Sequence, residues 1–229
     1  MKITFIQTPA FNPNAGGVQR ITFNLGNYFV SRGHKVSYYS FSDKEHVLPN
    51  SGTLVSAKYA NKNNNELNLK QLKSHIIDFG SDIIINQMPY EKSITKTVSQ
   101  IKNSTNVMIF GCIHNSLFAF KNNVQSILQR SVPYPVNYLA KIKGFINAAQ
   151  LYHKWKHNHD LEYMLSVYDK VVVYTDANIR EMKYFIDLDD DTIPKLEIIP
   201  NPINKICQNI PKKDKIILHV GRLNTTQKR

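Results

Sequence analysis

Pro13-Asn14-Ala15-Gly16-Gly17-Val18-Gln19-Arg20 lies between a short apolar run and a long amphipathic one. Before it, Ile3, Phe5 and Ile6 within Lys2 to Gln7 form the β-branched and aromatic pattern of a buried strand. After it, Val18, Ile21, Leu25, Tyr28 and Phe29 recur every three or four residues, which predicts a helix with one buried face, ended by Gly33. A glycine pair at such a strand-to-helix turn removes two side chains where backbone N–H groups point outward at the positive end of the helix dipole. That turn can receive a phosphate, although a Gly-Gly pair more often only shapes the chain.

Working outward, His34–Phe41 and Thr53–Tyr59 read as strands, and Leu67 to Phe79 as a helix closed by Gly80. Asp82-Ile83-Ile84-Ile85-Asn86 is a continuous apolar run of the kind that a central parallel strand shows. A helix over Glu91–Lys102, a strand over Val107–Phe110 and a loop from Gly111 to Asn115 follow. Asn122–Asp169 is less regular, broken by Pro133 and Pro135 and mostly helical from Tyr138 to Tyr168. Lys170–Tyr174 is a strand, Asp176 to about Ile186 a helix and Lys195–Ile199 a strand. This alternation predicts an α/β, Rossmann-like, mostly parallel sheet with helices on both faces. Ligands of such sheets sit at the C-terminal ends of the strands, so Gly16, His114 and Thr175, each following a strand, are expected on one rim.

The 229 residues are 42% hydrophobic and 20% charged, the composition of a globular protein rather than a disordered one. Cys112 and Cys207 are far apart without metal-ligand spacing, which points to a reducing cytoplasm. Met1 to Phe11 has too short an apolar run for a signal peptide, and no stretch approaches the length of about 20 apolar residues that spans a bilayer. A net charge of +12 favours an anionic partner: nucleic acid, an anionic membrane or a phosphorylated substrate. Asn204–Lys215 is polar and basic and reads as a linker, and Ile216–Val220 begins another strand. The expected organisation is therefore one domain over 1–203, a linker over 204–215 and the cut start of a second domain over 216–229.

Gly16-Gly17-Val18-Gln19-Arg20 through Asn24-Leu25-Gly26, with Ser31-Arg32-Gly33-His34-Lys35-Val36, resembles the opening of the GT-B-fold glycosyltransferases of family 4. Val220-Gly221-Arg222-Leu223 with Gln227-Lys228-Arg229 is similar to the start of that family's C-terminal domain, and Ile199-Pro200-Asn201-Pro202-Ile203 to the segment joining its halves. The resemblance implies two Rossmann-like domains, the acceptor held mainly by the N-terminal one and the nucleotide-sugar by the C-terminal one. It implies retaining transfer without a metal or other cofactor, the nucleotide-diphosphate sugar being the donor substrate. Carried over, the turn at Gly16 and Gly17 approaches the donor diphosphate through the Gly17 amide, Arg222 and Lys228 hold it from across the cleft, and His114 lies near the reaction centre. Asn14, Arg20, Asn115 and Thr175, at or beside the same turns, are acceptor-side candidates. A departing nucleotide diphosphate gains negative charge, so fixed cations and N–H donors lower the barrier selectively. The family's paired glutamates, seven residues apart in its second domain, have no counterpart here, so this stretch alone is expected to be inactive.

The implied partners are a nucleotide-sugar and a glycan or lipid-linked acceptor, as in bacterial surface polysaccharide synthesis, with no nucleic acid. Lys141, Lys143, Lys154, Lys156 and Trp155 accompany Leu139, Ile142, Phe145, Ile146 and Leu151 in a basic amphipathic segment, so an anionic membrane surface is a further partner and peripheral attachment to the cytoplasmic membrane a reading of location. A packed helix with a basic side is the alternative. His153, His157 and His159 include an i, i+4 pair that could ligate a metal but has no clear third ligand, and they read as a solvated helix face; Asp187, Asp189 and Asp191 read as a solvated acidic loop. Three competing functions are a non-catalytic acceptor-binding half paired with a separate donor-binding chain, a nucleic-acid-binding protein and a dinucleotide oxidoreductase. The second has scattered basic residues without a recognised motif, and the third lacks G-x-G-x-x-G at the first turn.

Overall fold

The computed structural model describes residues 1–42, 44–47, 52–56, 65–131, 133 and 136–201. They fall into a larger unit, Met1–His114 with Asn158–Pro200, and a smaller one described over Asn115–His157. The expected linker and second domain lie almost wholly outside the described residues.

The larger unit is built on strands β1 (Lys2–Gln7), β2 (Lys35–Ser40), β3 (Thr53–Ser56), β4 (Ile83–Asn86), β5 (Met108–Cys112), β6 (Lys170–Val173) and β7 (Leu196–Ile198). They form one sheet in the order β3-β2-β1-β4-β5-β6-β7, and every pairing is parallel. The expected fold class is the one observed. The isoleucine run of β4 lies between β1 and β5, as its apolar character on both faces requires. Of the expected third strand, Thr53–Ser56 is strand and the remainder lies outside the described residues.

Two layers cover this sheet. On one face, Ile3, Phe5, Val36, Tyr38, Ile85 and Cys112 form a core on which Leu25, Phe29 and Val30 of helix α1 (Gly17–Ser31) pack. The most deeply buried residues of α1 are Thr22 and Gly26, one turn apart. Tyr28, expected on the buried face, is instead exposed under the Arg32 guanidinium, 5.3 Å from its ring centroid. Small side chains bring a helix backbone nearest the sheet, so the apolar stripe flanks the contact line instead of forming it.

On the other face lie α2 (Glu66–Phe79), burying Leu72 and Ile76, and α3 (Lys92–Lys102), burying Ile94, Val98 and Ile101. Asn65 caps α2 by accepting from the Leu67 and Asn68 N–H groups. Gly80 ends it in the left-handed region at φ 66°, a conformation that favours glycine.

Tyr168, fully buried, ties these layers together. Its hydroxyl accepts from Asn86 Nδ2 at 2.5 Å and reaches Thr95 Oγ1 at 3.2 Å, while the Thr95 hydroxyl donates to the Pro89 carbonyl at 2.7 Å. This relay ties the end of β4, the loop after it and α3 to the segment that enters β6. Tyr168→Phe is expected to leave the buried Asn86 amide without that acceptor and to cost about 1–3 kcal/mol, measured as a lower urea midpoint at unchanged slope.

The smaller unit contains α4 (Ala119–Ser131), a 3-10 turn over Val136–Lys141 and the first part of α5 (Lys143–Val167). Helix α4 falls in a stretch expected to be less regular. Its Asn122-Asn123 pair is a poor helix former, and Asn123 leaves helical geometry at φ −125°. His153, expected on a solvated face, is half-buried and stacks on Phe120 with centroids 4.0 Å apart, His157 meeting its edge at 4.2 Å. Burial, with His157 and Lys156 nearby, lowers its pKa to about 4.

Candidate active site at the strand ends

From β1 the chain builds outward to β2 and β3, then returns to place β4 on the other side of β1 and continues to β7. The connections leaving β1 and β4 therefore diverge, and a crevice opens at their C-terminal ends. Gln7 ends β1, and Gln87 follows β4 with its N–H donating to the Ile6 carbonyl at 2.9 Å. One residue beyond the paired Ile6 and Asn86, the two glutamines share the sheet face that α1 covers.

Among the described residues, three of the five buried side-chain atoms without a hydrogen-bond partner gather here. Gln7 Nε2 donates to the Pro9 carbonyl, but Gln7 Oε1, Thr8 Oγ1 and Gln87 Nε2 are buried without a hydrogen-bond partner. Gln7 and Gln87 are almost wholly buried. A buried amide or hydroxyl left unpaired costs about 1–3 kcal/mol, so three at one switch point require an explanation.

His114, just past β5, is the centre of the rim. Its Nε2 meets Gln87 Oε1 and its Nδ1 meets the Tyr174 hydroxyl. Burial lowers the His114 pKa to about 4 and raises that of Tyr174, so the imidazole is neutral and the phenol protonated at physiological pH. The phenol then donates to Nδ1, and the imidazole carries its proton on Nε2, donating to Gln87. This histidine is an N–H donor rather than a base, and Gln87 fixes the direction of that donor.

The glycine turn sits above the same face. Gly16 is extended, φ 169°, with no side-chain cap on α1 and no acidic residue in its first turn. A Cβ built on Gly17 meets nothing within 4 Å. Neither a positive φ at Gly16 nor crowding at Gly17 requires a glycine here, and no side chain caps the N–H groups of the first turn.

The other candidates take varied places. Asn14 is exposed, its N–H donating to Asn12 Oδ1, and Arg20 turns back so that Nε donates to the Pro13 carbonyl at 3.4 Å. Both thereby shape the turn. Thr175 is the N-cap residue of α6 (Asp176–Phe185), where its N–H donates to Asn178 Oδ1 at 3.2 Å and its hydroxyl to the same oxygen at 3.1 Å. Asn115 is exposed beside His114. Arg222 and Lys228 lie outside the described residues. Gln87 and Tyr174 were missed from sequence, although both stand at strand ends, the position that singled out His114.

Among the described residues no cluster of three or more histidine, cysteine or carboxylate side chains is placed to hold a metal ion. Asp189 of the acidic loop instead accepts from the Thr192 N–H and hydroxyl. Cys112 is a buried free thiol, its pKa pushed up to about 12 by burial.

A wholly parallel sheet with helices on both faces and polar groups gathered at its switch point defines a Rossmann-like α/β fold, the class to which the domains of GT-B glycosyltransferases belong. Solved structures share it. One is WaaG, a glycosyltransferase involved in lipopolysaccharide biosynthesis, with a TM-score of 0.54 at 16% identity over 92% of this chain and 48% of that one. Another is the lipopolysaccharide outer core galactosyltransferase WaaB in its apo form, with a TM-score of 0.51 at 14% identity over 94% and 50%. The chain thus spans about half the length of each. No protein family model and no curated protein matches it.

Proposed function

We propose that this chain is the N-terminal, acceptor-side domain of a retaining GT-B glycosyltransferase of family 4. It works on a nucleotide-diphosphate sugar and a glycan or lipid-linked acceptor of a bacterial surface polysaccharide. The observation that carries the reading is the uncapped α1 N-terminus at Gly17, a glycine with open space where a Cβ would stand, above the face that carries His114. A diphosphate is the ligand that such a terminus suits, through N–H donors and the helix dipole.

The neutral His114 would then donate its Nε2 proton to a hydroxyl of the donor sugar, exchanging its contact with Gln87 for one with substrate. The freed Gln87 carboxamide and the unpaired Gln7 and Thr8 oxygens would turn to hydroxyl groups of the bound sugars. Arg222 and Lys228 would counter the leaving diphosphate. No dedicated carboxylate base is needed where the leaving phosphate takes the acceptor proton.

Gly17→Asp separates this reading from a glycine that merely shapes the turn. A carboxylate in the first turn of α1 interacts well with the helix dipole, so the melting temperature is expected to hold or rise slightly. The same charge repels a diphosphate, so transfer by the protein translated from the complete reading frame is expected to fall on the order of 100-fold. Unchanged transfer from nucleotide-sugar donors would sink the proposal.

A further inference from the structure

We propose that His46 is a positioning residue for the glycine turn: by gripping Phe11 in the loop between β1 and α1, it sets where the backbone of Gly16 and Gly17 stands. The inference deepens the reading of that turn as a diphosphate site and rests on it in its last step alone.

His46 follows β2 and joins the ends of three strands. Its Nδ1 accepts from the Phe11 N–H, in the loop after β1, at 3.2 Å. Its Nε2 lies 3.2 Å from the Ser42 carbonyl oxygen, after β2, and 3.2 Å from the Ser56 hydroxyl, at the end of β3. A backbone N–H can only donate and a carbonyl oxygen can only accept. The two contacts therefore agree on one tautomer, with the proton on Nε2 and a lone pair on Nδ1. The rest of Phe11 is held as well. Its carbonyl accepts from the Val47 N–H, and its buried ring meets that of Tyr38 edge to face, with centroids 4.9 Å apart.

From Phe11 the hold passes along the chain to α1. Asn12 Oδ1 accepts from the Asn14 N–H and the Asn12 carbonyl from the Ala15 N–H, each at 3.0 Å. Pro13 has a fixed φ, and its carbonyl accepts from Arg20 Nε of α1. The five residues between Phe11 and Gly17 thus form a stiff turn whose position follows that of Phe11. A diphosphate bound through N–H groups gains most when those donors are in place before it arrives, because ordering a loose loop on binding weakens affinity. His46 supplies that order from 35 positions along the chain.

Two near-isosteric variants separate this role from a histidine that only stabilises the fold. Asparagine places Oδ1 where Nδ1 stands, so His46→Asn keeps the acceptor for Phe11 and loses the contacts of Nε2. Glutamine places its amide nitrogen near Nε2, so His46→Gln keeps the donor to Ser42 and Ser56 and leaves the Phe11 N–H without its acceptor. Both are made in the protein translated from the complete reading frame. His46→Gln is expected to speed amide hydrogen exchange over Phe11 to Val18 by about tenfold, and to weaken calorimetric binding of whichever of UDP, GDP and ADP the wild type takes by a similar factor. His46→Asn is expected to stay within about threefold of wild type in both measurements. Nitrogen-15 spectra of the wild type should show the Nε2–H tautomer of His46. An Nδ1–H tautomer overturns the proposal, and so does equal exchange in the two variants. Faster exchange in His46→Gln at unchanged nucleotide affinity overturns its last step. If the wild type takes none of the three nucleotides, the diphosphate reading of the turn fails, and the exchange difference alone decides whether His46 holds the loop.

Discussion

Gly111→Ala is expected to destabilise the larger unit by about 2–3 kcal/mol, the upper part of the range for overpacking a core. An added Cβ would stand 2.7 Å from Pro89 Cβ and 3.0 Å from Cδ1 of the Tyr168 ring. Neither neighbour can move freely. Pro89 is buried and its carbonyl is bound by the Thr95 hydroxyl, while Tyr168 is held between Asn86 and Thr95. The methyl group must therefore displace β5 or the loop after β4, which also carries Gln87. A fall in melting temperature of about 5–10 °C is expected for a protein of this size. Gly144→Ala supplies the opposite sign, because a Cβ there meets nothing within 4 Å and alanine favours a helix by about 0.5–1 kcal/mol. Equal melting temperatures for the two variants would show that the Gly111 contact does not exist in solution.

Stability is expected to fall steeply between pH 6.5 and pH 4. Burial lowers the pKa of His114 and of His153 to about 4, and also lowers that of His75, where Asp78 opposes the shift. In that window the unfolded chain binds protons at these imidazoles and the folded chain does not, so each falling pH unit favours unfolding. The stabilisation is present in full above the unfolded pKa near 6.5 and is lost as the pH approaches the folded values. His114 contributes up to about 1.4 kcal/mol per pH unit, and the partly exposed His153 and His75 less, because water screens their charge. Urea unfolding at pH 7.5, 6, 5 and 4.5 measures the slope. Because its pKa is lowered by burial, His114→Gln, which cannot take up a proton, should flatten the slope by about one histidine's share. An unchanged slope in that variant would mean that His114 is not buried as a neutral donor. The same protonation state predicts that transfer activity shows no inflection from His114 between pH 6 and 8.

The strand and helix alternation was readable because it depends on local pattern. Ile83 to Asn86 announced a central strand through its run of isoleucines, and Gly80 announced the end of α2 through the left-handed turn that only a residue without Cβ adopts easily. Helix α4 was not readable, because Asn122-Asn123 interrupts the periodicity that tertiary contacts later override. Of the expected site, His114 was visible from its place after a strand. Gln87, equally placed, passed unnoticed because an isolated glutamine carries no chemical signature.

By itself the sequence determined most of the elements and the parallel sheet they imply, since strand period, helix period and terminating residues act over a few neighbouring positions. Tertiary structure alone decided the order of the strands, the crowding of Gly111 against Pro89 and Tyr168, and the outward turn of Leu151 and Trp155, both more than half exposed. It also decided the state of His114, whose partners Gln87 and Tyr174 lie 27 and 60 residues away. A pKa and a hydrogen-bond direction depend on what surrounds a group in space, and only the folded sheet brings those distant strand ends together.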